Sequence, residues 1–233
     1  MKKTRIFTIG ALSLCLLGSA GCNSMTNMGK GALIGGGGGA GLGAGIGALI
    51  GGGKGAGIGA AIGAAVGAGA GTLIGRKMDK QKQELEQQLA DKAAVETVTD
   101  QNGLEAIKVT FNSGILFPTN GTTLNTAERQ SLAGFATNLI NNPETNVQIF
   151  GYTDDTGTMQ VNERVSTGRA DAVRNFLVNS GVAASRVTAQ GIPMADYVAS
   201  NATPEGRAQN RRVEIYITAN QQMIQQAENG TLK

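Results

Sequence analysis

NVQIFGYTDDTGTMQVNERVSTGRADAVRNFLVNSG, Asn146 to Gly181, changes its pattern partway along. NVQIFGYT (146–153) reads as a strand. A loop carrying Asp154 and Asp155 follows, and then a helix runs to about Ser180. The predicted inner stripe of that helix is Val161, Val165, Ala172, Phe176 and Leu177, with Gly181 as its C-terminal stop. Asp154 therefore lies just past a strand, facing the start of a helix that carries Arg169. The two can present a carboxylate and a guanidinium to one ligand. A ligand bearing both an ammonium and a carboxylate suits them, because arginine grips a carboxylate through two parallel N–H bonds. Asp154 as a loop cap, and Arg169 as a surface charge or as an internal partner of Asp154, are the plain alternatives.

Working outward, residues 95–219 read as one mixed α+β domain. VETVT and LEAIKVTF flank the turn signal at 100–103, and Ile107, Val109 and Phe111 alternate in the second strand. LNTAERQSLAGFATNLI (124–140) is a helix. Asn125 and Glu128 suggest a capping box, and Leu132, Phe135, Ala136, Leu139 and Ile140 form its apolar stripe. RVTAQG (186–191) and RRVEIYIT (211–218) are strands, with a loop and a short helical turn between them. Arg211 and Arg212, adjacent at a strand start, must point to opposite faces, so one at most need serve the site. The tail, 220–233, is polar and reads as loose.

The residue inventory argues against chemistry. The chain of 233 residues has no histidine, and its cysteines are Cys15 and Cys22. Asp154 and Asp155 are adjacent, whereas glycosidase carboxylates flank the bond about 5–9 Å apart. The same pair, without His or Cys, is a poor metal site, and no cofactor motif fits. Asp155 and Arg164 read as solvated surface charges. A binding module, not an enzyme, is the expectation.

The N-terminal part has a different character. Lys2, Lys3 and Arg5 precede a short apolar run and Ser19-Ala20-Gly21-Cys22, so residues 1–21 read as a signal peptide. The cut before Cys22 resembles a bacterial lipobox, which makes Cys22 the acylated first residue. The membrane anchor follows from that resemblance. Asn23 fits sorting to the outer membrane, as enterobacterial lipoproteins retained in the inner membrane carry aspartate there. Without residues 1–21 the chain has equal numbers of acidic and basic residues, which argues against a nucleic-acid partner. Residues 22–30 form a linker.

Residues 31–75 are nearly half glycine, and a glycine recurs every four residues from Gly31 through Gly51 to Gly75 without a break. On a helix that period makes one stripe without side chains, the small-xxx-small packing of membrane helices. Gly51-Gly52-Gly53-Lys54 interrupts the apolar pattern. The reading is a helical hairpin with arms of about 30 Å, against a flexible Gly/Ala linker as the alternative. Such a hairpin can self-associate, and a membrane oligomer or pore-like assembly is the competing function. Residues 76–94, rich in helix formers, read as a connecting helix.

Three blocks in order carry a family resemblance. Gly151-Tyr-Thr-Asp154-x-x-Gly157 is followed by Asn162-x-x-Val165-Ser166-x-x-Arg169-Ala170, and then by Gly206-Arg-Ala-Gln-Asn210-Arg211-Arg212-Val-Glu214. They resemble the OmpA C-terminal-like domain. With the lipobox and glycine zipper, the chain is similar to the YiaD-type OmpA-family lipoproteins. The resemblance implies an α+β peptidoglycan-binding domain, a mixed sheet with helices on one side. It also implies an outer-membrane anchor with the domain in the periplasm. Peptidoglycan is then the partner, gripped at the diaminopimelate of its stem peptide. Asp154 is expected to take the ammonium and Arg169 the carboxylate, with Asn162 lining the site and Arg211 supporting it. Phe117-Pro118 stands where the family often has Phe-Asp, and Val165 where leucine is common.

Overall fold

The computed structural model describes residues 68–233 apart from Asp91, Gln101, Asn102, Thr119 and Asn120. In chain order its elements are α1 (Ala68–Leu89), β1 (Ala94–Thr99), β2 (Glu105–Asn112), α2 (Ser113–Leu116), α3 (Arg129–Asn141), β3 (Thr145–Tyr152), α4 (Met159–Asn179), β4 (Val187–Ile192), α5 (Pro204–Asn210), β5 (Arg212–Ala219) and α6 (Gln221–Glu228). The strands form a five-stranded sheet in the order β1-β2-β5-β3-β4. Among the described residues only β3 and β4 pair in parallel, and α4 connects them.

Alternation along the strands sets the two faces of the sheet. Ile107, Val109 and Phe111 of β2, Val147 and Ile149 of β3, and Val213, Ile215 and Ile217 of β5 are buried in one core with residues of α1, α3, α4 and α6. Burying a side chain of this size contributes about 1.5–3 kcal/mol. Phe111 meets Phe135 of α3 edge to face at 6.4 Å. The opposite face carries a second cluster, Phe150, Tyr152 and Tyr216. The α+β fold with its helices on one side of a mixed sheet is the one expected.

Several local expectations differ. The helix expected at 76–94 is Ala68–Leu89, so its start lies inside the glycine-rich segment and its end leaves Ala94 to open β1. Packing carries α1 past Gly69, Gly71 and Gly75: Ala70, Ile74, Met78, Leu85 and Leu89 are buried against the domain. The rest of the predicted hairpin, the signal peptide, the linker and Cys22 lie outside the described residues. Among the described residues no helix is long and apolar enough to cross a membrane.

The tail expected to be loose contains α6. Asn220 caps it by accepting the Met223 amide at 3.0 Å, and Met223, Ile224 and Ala227 are buried. The capping box at Asn125 does not form. A 3-10 turn, Thr126–Glu128, precedes α3, and neither Asn125 nor Glu128 makes a side-chain cap bond. Glu128 instead receives Lys92 Nζ at 3.1 Å.

Candidate functional site

The inner face of α4 is Asn162, Ser166, Arg169, Ala170, Val173 and Leu177. Of the predicted stripe Leu177 is buried and Ala172 and Phe176 pack half-buried against the core, and the N-terminal part of the stripe differs. Val161 is exposed and Val165 half-buried. The reason lies beneath the helix. Its second half rests on the core, while its first half borders a cleft, where polar groups are acceptable neighbours. Thr158 caps its start by accepting the Val161 amide.

Two glycines decide how close α4 comes to the sheet. Gly151 and Gly191 are register partners on β3 and β4. A Cβ at Gly151 would run into the Ser166 carbonyl, and one at Gly191 would stand 2.5 Å from the Thr167 amide nitrogen. The helix backbone therefore lies directly on the sheet, which fixes Arg169, one turn further on.

The cleft has a volume of about 730 Å³. Asp154, Asn162, Arg169 and Arg211 all line it, so the four predicted site residues share one concavity. Asp154 is 4% exposed. Its Oδ1 accepts the Thr156 amide at 3.0 Å and the Thr156 hydroxyl, and its Oδ2 pairs with Arg211 Nη1 at 2.5 Å. Burial, the largest influence, would raise its pKa. The Thr156 and Arg211 hydrogen bonds and the Arg211 charge outweigh burial, and the carboxyl titrates below the usual aspartate value.

Arg169 is also 4% exposed. Its Nε donates to the Gly121 carbonyl at 3.0 Å, and its guanidinium lies 5.5 Å from the centre of the Phe117 ring. Burial and then the neighbouring Arg211 charge lower its pKa, and Asp154 raises it, so the three charges feel one another. Asp154 pairs with Arg211 rather than with Arg169. Asn162 Nδ2 donates to the carbonyls of Thr156 at 2.8 Å and Thr158 at 3.1 Å, which pins the loop below the cleft.

Arg212 faces the other side of the sheet, as the strand start requires. Its Nε donates to Glu214 Oε1 at 2.7 Å, its Nη2 to the Asp196 carbonyl, and its guanidinium lies 3.7 Å from the Tyr152 ring centre. Tyr216 donates its hydroxyl proton to the same Glu214. Burial and the Glu214 charge push the hydroxyls of Tyr152 and Tyr216 up, so both stay protonated. Asn210 is fully buried and clamps the preceding loop. Its Oδ1 accepts the Val198 and Ala199 amides, and its Nδ2 donates to the Ala199 carbonyl.

Sequence reasoning gave no site role to Phe117, Thr156 or Asn125 and read Arg164 as a surface charge, yet all four line the cleft. Phe117 lies under Arg169, and Thr156 holds Asp154. Asn125 and Arg164 line the wall. Thr156, two residues after an aspartate in a turn, was the most readable of them. Asn125 and Phe117 come from a distant segment and gave no local signal. Asp155 is exposed and outside the cleft lining. Among the described residues no group of three or more His, Cys, Asp or Glu stands close enough to hold a metal.

The cleft thus lies between a strand end and the first turns of the following helix, walled by buried Asp154 and buried Arg169. Residues 116–211 match the OmpA family, and residues 1–79 match the YMGG-like Gly-zipper. The chain carries an OmpA-family domain behind a YMGG-like Gly-zipper segment.

Its relatives include proteins named as a lipoprotein and as a peptidoglycan-binding protein. It is 40% identical over 133 residues to the Escherichia coli K12 protein "Probable lipoprotein YiaD", covering 57% of this chain and 61% of that one. It is 41% identical over 112 residues to "Peptidoglycan-binding protein ArfA" of Mycobacterium tuberculosis H37Rv, covering 48% of this chain and 34% of that one. The chain thus spans about three fifths and one third of these two curated relatives. Among solved structures, the cell wall anchor of the T6SS from Pseudomonas aeruginosa superposes with a TM-score of 0.52 at 30% identity, covering 60% of this chain and 99% of that one. A MotB like protein from Desulfovibrio vulgaris gives 0.55 at 25% identity, covering 65% and 96%.

Proposed function

We propose that this chain is a lipid-anchored outer-membrane protein whose periplasmic domain binds peptidoglycan non-covalently and tethers membrane to wall. The observation that carries the reading is the pair of buried opposite charges, Asp154 and Arg169, lining one open cleft. The free end of diaminopimelate carries an ammonium and a carboxylate. Asp154 takes the ammonium, and its oxygens have lone pairs beyond those used by Thr156 and Arg211. Arg169 takes the carboxylate through its planar fork. Arg211 keeps Asp154 ionised and oriented. Asn162 uses its amide nitrogen on the loop and leaves its oxygen for a ligand donor.

No step of this function breaks or forms a covalent bond. Relatives with peptidoglycan binding, a cell wall anchor or a lipoprotein in their names support it. Acylated Cys22 supplies the anchor to the outer membrane. Self-association through the glycine zipper, from Gly31 to Gly75, adds a membrane contact and is the alternative centre of function.

Co-sedimentation of the detergent-solubilised full chain with diaminopimelate-type sacculi tests the site. Wild type is expected in the pellet, and Asp154→Ala and Arg169→Ala in the supernatant with unchanged circular dichroism. Equal pelleting of all three would refute the assignment and point to the zipper.

A further inference from the structure

We infer that Arg164 forms a second carboxylate subsite at the wall of the cleft, reading a ligand carboxylate that lies beyond the zwitterion held by Asp154 and Arg169. This rests on the diaminopimelate reading and deepens it.

Charge balance is the first reason. The ionised side chains lining the cleft are Asp154, Arg164, Arg169 and Arg211, one carboxylate against three guanidiniums. The described lining thus holds a surplus of two guanidiniums over carboxylates. A zwitterionic side-chain end is neutral and leaves that surplus as it was. A ligand with one more carboxylate reduces it.

The state of Arg164 is the second. It is exposed, and it has neither a hydrogen-bond nor an ion-pair partner among the described residues. Other arginines of the domain have structural work: Arg174 donates to the Val187 carbonyl, Arg207 to the Asn201 carbonyl, and Arg186 to the carbonyls of Leu139, Asn142 and Thr145. Arg164 stands on the cleft wall with none.

Spacing and room are the third. Arg164 and Arg169 are five positions apart on α4, about 7.5 Å along the axis at 1.5 Å per residue. Extended peptide covers that distance in roughly two residues at 3.3–3.6 Å each. A cleft of about 730 Å³ takes a ligand of several residues' bulk rather than one side-chain end. The chemistry that fits is a peptide carboxylate next to the diaminopimelate, as a γ-linked glutamate provides through its free α-carboxylate.

The detergent-solubilised full chain would be titrated by calorimetry with two probes. One is L-Ala-γ-D-Glu-meso-diaminopimelate, and the other is the same tripeptide with the glutamate α-carboxylate amidated. Wild type is expected to bind the free acid about three- to fivefold more tightly, the range of one exposed ion pair. R164Q should bind both probes alike, at the wild-type affinity for the amide. Equal wild-type affinities, or discrimination retained in R164Q, overturn the subsite and leave the diaminopimelate reading standing. Failure of wild type to bind either probe overturns both.

Discussion

Asp154 concentrates the electrostatics of the cleft. Its carboxyl is held below the aspartate range even though burial pulls the other way. A group whose folded pKa is depressed contributes stability above its unfolded pKa, about 3.9, and loses it as pH falls through the lower folded value. The wild-type domain should therefore lose stability through that acid window. Asp154→Asn cannot pair with Arg211 as an anion, so it should be less stable at neutral pH and lack that component of the acid loss. Circular dichroism melts from pH 7 down to pH 2 read both effects. Superimposable pH profiles would show that the pair does not stabilise the fold. The Arg186 clamp belongs to the same scale. It closes the α3–β3 connection through three carbonyls, and nothing around Ser185-Arg186 in the sequence announces it.

At the scale of elements, the strand–loop–helix unit β3–α4 was readable, but its depth of contact was not. The sequence shows Gly151 and Gly191; only the parallel register sets them side by side under Ser166 and Thr167. Gly151→Ala puts a methyl into the helix backbone. It is expected to cost about 1–3 kcal/mol by overpacking and to weaken sacculus binding, because α4 carries Arg169 with it as it shifts. Urea unfolding together with co-sedimentation would check this; full binding in the variant would mean that Arg169 tolerates the shift. The α4 stripe was misread for a related reason. Val161 and Val165 look like core residues to a periodicity count, yet the cleft occupies the space beside them. The α6 helix was missed because only Met223, Ile224 and Ala227 break its polar run.

At the scale of the molecule, α1 belongs to the folded unit. It packs against α3, α6, β1 and β2 and contributes Ile74, Met78, Leu85 and Leu89 to the common core. Its seam with α3 is polar at the centre, where Gln81 donates to Asn138 Oδ1 and Asn138 donates to Glu84 Oε2. A fragment beginning at residue 95 leaves that apolar face open to water. It should melt well below a fragment beginning at residue 68, or aggregate. Differential scanning calorimetry of the two would decide, and equal melting temperatures would show α1 to be an accessory layer. The OmpA-family domain is in this way continuous, through a packed helix, with the end of the glycine-rich segment.

The sequence by itself determined the α+β class and the succession of strands and helices along the chain, which follow from alternation and periodicity, both local. It also set Asp154 just past a strand and Arg169 on the next helix, while Asn162 and Arg211 entered through the family resemblance of the three motif blocks. Only the tertiary structure decided that Arg211 rather than Arg169 pairs with Asp154, that Phe117 and Gly121 flank Arg169, and that α1 and α6 close the core. Each of these depends on which surfaces meet across long sequence separations. Packing free energy settles that choice, and no window of neighbouring residues contains it.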